Sequence, residues 1–235
     1  MKIAIMQPYL FPYIGYWQLI NAVNRFVIYD DVNYIKGGWI NRNRILINGE
    51  PTYITVPLHR PSPFKRICDT TLRQPATSWR DRQVKMVETT YRKAPRFDVV
   101  FPVIEQVIRH ETISLPDYLA HQLRALSAFM GIGTEFVASS RCYENSNLHG
   151  QARILDICQR EAATTYVNPI GGRELYDPTD FRGVGIDLRF ISMRRFPYPQ
   201  RSKPFVPLLS IIDALMEIGP VETRRYLDAF DLVEK

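Results

Sequence analysis

The opening of the chain constrains the fold more than any other stretch. "KIAIM" (2–6) is a short apolar run, and "GYWQLINAV" (15–23) sets Tyr16, Leu19, Ile20 and Val23 at helical spacing. "RFVIYDDV" (25–32) is a second apolar run that ends in two carboxylates. Strand, helix and strand within about 30 residues predict a βαβ unit with parallel strands and a right-handed crossover. The rest of the chain reads, segment by segment, as further sheet and helix.

"NRILINGEPTYITVPL" (43–58) carries Asn48-Gly49 between two β-rich runs, the strongest short hairpin signal. It predicts an antiparallel insertion at about 35–60. From Thr77 to about Gly131 the pattern is helical, with Ser78 a candidate N-cap and a further helix starting at Ser114 with Pro116 in its first turn. "EFVAS", "TTYVNP" and "IDLRFISM" read as strands, and the chain closes as two helices parted by Gly219-Pro220. The expected fold is α/β: a mainly parallel sheet with flanking helices, an antiparallel hairpin insertion and a helical segment at 77–131. The 235 residues are expected to form one domain.

The turn inside the βαβ unit is unusual. Three aromatics, two prolines and a glycine follow Gln7 within eight residues, where a simple reversal draws on Gly, Asn, Asp and Ser. We read it as a pocket wall. Gln7, Pro8 and Tyr9 leave the strand, and Tyr13, Tyr16 and Trp17 offer ring faces to a base or sugar. Gly15 admits a ligand close to the helix start, where free amides favour phosphate. The competing reading is that the rings plug the core and Gly15 eases packing.

Ligands of open parallel sheets bind beyond the carboxyl ends of the strands. Three such ends are polar here: Gln7-Pro8-Tyr9, then Asp30, Asp31 and Asn33, then Asn168, Gly171, Gly172 and Glu174. If these strands are neighbours, the groups converge on one crevice. "DDVNYIKGGWINRNRI" (30–45) adds Lys36, Asn41 and Arg42. Asp30 and Asp31 are adjacent, so on a strand they point to opposite faces. One is expected to serve a ligand amine or a metal while the other faces solvent or caps the turn, and Lys36 and Arg42 are candidate phosphate holders. The proline-rich loop "FPYPQRSKPFVPLL" (196–209) is a further candidate for anion binding, through Arg201, Ser202 and Lys203.

Composition narrows the partners. The net charge is +6 and its cations are dispersed, which suits a small anionic ligand such as a nucleotide or nucleotide-sugar. No nucleic-acid-binding motif accompanies the charge. Cys68, Cys142 and Cys158 and the four histidines have no metal-ligand spacing, so no metal site is expected. No run of about 18 apolar residues is long enough to span a membrane, and the N-terminus lacks a secretory pattern. The expected location is the cytoplasm. No Ser-His-Asp or Cys-His arrangement can be assigned, and no cofactor is indicated.

Four blocks carry a resemblance: "MKIAIMQPYLFPYIGYWQLI", "FVIYDDVNYIKGGWINRNRILINGEPTYITVP", "YVNPIGGRELYDPTDFRGVGIDLRFI" and "KPFVPLLSIIDALMEIGPVETRRYL". In that order they resemble the WbqC-like protein family, from Met1 to about Leu227. The family's recurring positions map to Gln7, Pro8, Tyr9, Pro12, Gly15, Tyr16, Asp31, Lys36, Asn41, Arg42 and Pro57. Later in the chain they map to Gly171, Gly172, Glu174, Leu175, Tyr176, Ser210, Asp213 and Gly219. The resemblance implies a place in polysaccharide and O-antigen biosynthesis. It also implies a transferase that attaches an acyl or aminoacyl group, such as glycyl, to a nucleotide-linked amino sugar. Asp30, Asp31 and Lys36 are its candidate catalytic residues. Two alternatives stand beside it: a non-catalytic sugar-nucleotide-binding or scaffold component, and a nucleotidylyl- or adenylyl-transferase-like enzyme. The latter class places an H-x-G-H element after its first strand; here Tyr13, Gly15 and Tyr16 keep the glycine and lack both histidines.

Overall fold

The computed structural model describes residues 1–75, 77–194 and 197–235. The opening unit forms as expected. β1 (Lys2–Met6), α1 (Ile14–Asn21) and β2 (Arg25–Ile28) follow one another, with Ile3 in register with Arg25 and Met6 with Ile28 in a parallel pair. β3 (Arg42–Ile47) and β4 (Glu50–Thr55) make the hairpin. Its turn residues Asn48 and Gly49 both hold positive φ, at 51° and 83°, which a two-residue turn matched to strand twist requires. A short pair, β5 (Leu58–His59) and β6 (Thr71–Leu72), leads into the helical segment α2 (Thr77–Tyr91), α3 (Phe97–Arg109) and α4 (Leu115–Phe129). Ser78 lies inside α2 rather than capping it, whereas Ser114 caps α4 by accepting from the Asp117 amide at 3.3 Å. β7 (Glu135–Val137), α5 (Gly150–Arg160), β8 (Thr165–Pro169), α6 (Pro178–Gly183), β9 (Asp187–Met193), α7 (Ile211–Tyr226) and β10 (Phe230–Val233) complete the chain. β10 was not expected; the two closing helices do part at Gly219, whose non-helical backbone divides α7 into two halves.

The main sheet has the order β10-β9-β8-β1-β2-β7, with only β10 antiparallel to its neighbour. Side chains of the central strands alternate between two cores. Ala4, Phe26, Ile28 and Val167 pack with α1, α7 and the helices of 77–129. Ile3, Ile5, Val27, Tyr166 and Phe190 pack with Ile154 and Ile157 of α5 and Phe181 of α6. Strands buried on both faces explain why they read as unbroken apolar runs. From β1 the chain moves outward through β2 to β7, then returns across the other face to β8 and β9. Right-handed crossovers in opposite directions must lie on opposite faces. The reversal therefore falls between β1 and β8, the place where open α/β sheets leave a crevice.

Candidate active site at the sheet reversal

β8, β1 and β2 are adjacent and parallel, so Asn168, Gln7 and Asp30 leave the sheet at one edge. Two sets of side chains form there, one on each side of β1.

On the α1 side, the turn after β1 is bolted down by residues far away in sequence. The Phe11 amide donates to Gln122 Oε1 of α4 at 2.8 Å, and Gln122 Nε2 donates to the Tyr9 carbonyl at 3.1 Å. Asn43 Nδ2 of β3 donates to the Leu10 and Phe11 carbonyls at 2.9 and 3.0 Å. These bonds hold Phe11 at a φ of 40°, a strained value for a non-glycine residue. The expectation that Tyr16 and Trp17 face a ligand is overturned: both are sealed in the core. Trp17 Nε1 donates to the Pro12 carbonyl at 2.9 Å and Tyr16 Oη to the Gln7 carbonyl at 2.7 Å, so each ring's polar atom is satisfied by the turn itself. Pro8 is buried as well. Gly15 admits a side chain rather than a ligand, because the Tyr13 ring occupies the space of its missing Cβ and Met193 Sδ would stand 3.2 Å away.

Tyr9 and Tyr13 remain as walls. With Pro12, Trp39, Asn43, Arg44 and Leu208 they line a pocket of about 230 Å³. The Arg44 guanidinium lies 5.6 Å from the Trp39 ring centre, Trp39 is 6.5 Å from Tyr53, and Arg42 covers Tyr53 at 4.5 Å. Among the described residues Arg44 has no carboxylate partner, and its buried Nε donates no hydrogen bond. Arg42, expected to hold phosphate, instead spends its guanidinium on the Gly37 and Gly38 carbonyls, closing its own loop. Asn41 is likewise structural: it accepts from Tyr34 Oη at 2.7 Å and donates to the Val56 carbonyl at 2.9 Å. Arg44 carries the free charge that sequence reasoning gave to Arg42. Both lie on one short strand, and the sequence held no sign of which one the preceding Gly-Gly loop would consume. Leu208 holds φ 58° over this pocket, another strained residue at the rim.

On the α5 side stand the carboxylates. Both Asp30 and Asp31 are buried, which corrects the expectation that one would face solvent. The reason is β7, whose end supplies donors to both. Asp30 Oδ1 accepts from Ser139 Oγ at 2.7 Å and from the Ser140 amide at 3.2 Å. Asp31 accepts from Ser140 Oγ and pairs with Arg153 of α5, both side chains being 4% exposed. Arg153 is steadied by Asn145 Oδ1 at 2.9 Å and lies 5.0 Å from the Tyr29 ring centre. Burial pushes the Asp30 carboxyl above its ordinary range, offset in part by the Ser139 and Ser140 hydrogen bonds. Ser139, Ser140 and Arg153 were not foreseen, since nothing local links them to a strand end more than 100 residues away. Lys36 is exposed, without a carboxylate partner among the described residues. Asn168 donates to Tyr166 Oη at 2.7 Å, and its Oδ1 fills the space a Cβ on Gly172 would need. Gly171 and Glu174 point to open solvent.

The proline-rich loop contributes Leu208; Arg201 pairs with Glu217 at 2.5 Å, whereas Lys203 is exposed without a carboxylate partner among the described residues. Its first residue, Phe196, lies outside the described residues. No group of three or more His, Cys, Asp or Glu side chains among the described residues is placed to hold a metal ion. No helix among them is long and apolar enough to cross a membrane.

Polar strand ends around a chain reversal in a mostly parallel sheet define an α/β protein. More narrowly, the WbqC-like protein family model matches residues 7–225, and the chain belongs to that family. It is 32% identical over 223 residues to the uncharacterized protein Rv1507c of Mycobacterium tuberculosis (strain ATCC 25618 / H37Rv), with 93% of this chain and 94% of that one covered. No solved structure matches the chain.

Proposed function

We propose that the protein is a transferase for a surface-polysaccharide precursor, passing an acyl or aminoacyl group to the amine of a nucleotide-linked amino sugar. The observation that carries this is the unpaired Arg44 beside Tyr9, Tyr13 and Trp39 at the sheet reversal. Flat rings take a base or sugar, and an uncompensated guanidinium takes the phosphate. Lys36 is free to approach the same anion. The reacting amine must lose its proton as the new C–N bond forms and the donor's leaving group departs. On this reading the proton passes to Asp30, the buried carboxylate at the adjacent end of β2, across β1 from the ring pocket. Asp31, held by Arg153, positions the loop that follows β2.

Binding is tested first. A panel of nucleotides and nucleotide-sugars is screened by thermal shift; a true ligand at about 100 times its Kd stabilises by roughly 2.7 kcal/mol. Arg44→Ala should abolish the shift while the unliganded Tm moves little. Turnover is tested by mass spectrometry of amino-sugar nucleotides incubated with acyl and aminoacyl donors. Asp30→Asn should lower the rate at least 100-fold with binding intact, and full activity in that variant would remove its role. A second reading, binding without turnover, is favoured by the commitment of both carboxylates to buried hydrogen bonds. Stabilisation by a ligand with no product from any donor would select it.

A further inference from the structure

Next to the Arg44 pocket, and sharing Tyr13 and Leu208 with it, is a second cavity of about 400 Å³. Its walls are almost wholly apolar: Ile14, Met193, Phe205, Pro207, Leu209 and Tyr226. Arg194 also touches it but is neutralised by Asp231, its Nε lying 2.9 Å from the carboxylate. A charged group therefore gains nothing inside, whereas an alkyl chain gains transfer free energy. Among the described residues, the other polar groups of its wall are the Tyr13 and Tyr226 hydroxyls and Gln18, which is 1% exposed. Its Nε2 is consumed by the Tyr226 and Ala229 carbonyls at 2.8 and 3.0 Å. Its buried Oε1 takes no hydrogen bond among the described residues. An unsatisfied buried acceptor is costly, and a ligand N–H would relieve it.

We propose that this cavity is a subsite for the acyl chain of an N-acylated, phosphorylated ligand, with the amide N–H donated to Gln18 Oε1 and the phosphate held at Arg44. The inference rests on the binding reading above and extends it: the molecule recognised is an amphiphile, with its polar end among the rings and its aliphatic end under the proline-rich loop. The neighbouring cavities, one cationic and one neutral and greasy, are the two halves of such a ligand.

The test uses O-phosphoethanolamine and its N-acyl derivatives with chains of two to ten carbons, and the matched esters in which oxygen replaces the N–H, titrated calorimetrically into the full-length protein. Affinity should tighten about fourfold per methylene until the cavity is full, then level off. The esters should bind about tenfold more weakly than the amides. Met193→Trp, which fills the cavity, should erase the chain-length dependence; circular dichroism checks its fold, and the wild-type series stands without it. Affinity indifferent to chain length, with the unacylated head binding as tightly as the longest chain, overturns the subsite and leaves the Arg44 pocket intact. Binding of the acyl series that survives Arg44→Ala unchanged overturns the placement of the head instead.

Discussion

Arg153 and Asp31 illustrate how little freedom the site's residues have. Each is 4% exposed, and neither has water to fall back on. Arg153→Met would leave the Asp31 charge buried and unpaired, with an expected loss of about 3–5 kcal/mol in urea unfolding; a loss below about 1 kcal/mol would mean that water reaches the carboxylate. Gln122→Ala strands the Phe11 amide, and the expected cost is about 1–3 kcal/mol by the same measurement. Asp30 predicts a pH effect. Its carboxyl titrates near 3.8 when unfolded and higher when folded, because burial penalises the charged form. The folded state therefore holds the proton more tightly. The stability this confers is full below pH 3.8 and is lost as pH rises through the raised value. Asp30→Asn, which keeps an acceptor and cannot ionise, should remove that decline from a plot of Tm against pH, leaving the part due to Glu217, which burial shifts the same way. An identical profile in the variant would show that folding does not shift the Asp30 carboxyl.

Among the elements, α7 depends most on one residue. Gly219 sits at φ 81°, ψ 170°, a conformation confined to glycine, and a Cβ there would meet Arg96 Cγ at 3.2 Å. The kink lets the first half of α7 stay buried, with Asp213 accepting from Tyr91 and Tyr198 hydroxyls at 2.9 and 2.7 Å, while the second half turns towards β10. Gly219→Ala should cost about 1–3 kcal/mol and straighten the helix at the expense of that packing; a neutral result in thermal melts would show that the backbone can relax. The Gly219-Pro220 pair announced a break in the sequence because both residues act locally. The hairpin was legible for the same reason, through Asn48-Gly49. β10 was not: four residues with a charged Asp231 among them look like a helix end, and only the open edge of β9 makes them a strand. The aromatic turn was ambiguous in principle. A ring beside a helix start has the same spacing whether it meets a ligand or the core, and only the packing partners separate Tyr13 from Tyr16 and Trp17.

At the scale of the whole molecule, the meeting of three polar strand ends was conditional on strand order, which no periodicity encodes. The observed order brings Asn168, Gln7 and Asp30 to one edge but to two sides of β1. The helices of 77–129 share one core with α1 and α7 and clamp the β1 turn through Gln122. The chain should therefore unfold as one unit, with helical circular dichroism and near-ultraviolet signals coinciding in urea; separated midpoints would divide it. The exposure of the tryptophans adds an optical consequence. Trp17 and Trp79 are buried and Trp39 is 39% exposed, so of the three indoles only the one beneath Arg44 is open to a dissolved quencher. Acrylamide or iodide should extinguish a single red-shifted component of the emission, and whatever settles on that indole should shield it. The protein thus carries its own fluorescent gauge of occupancy, readable without a label.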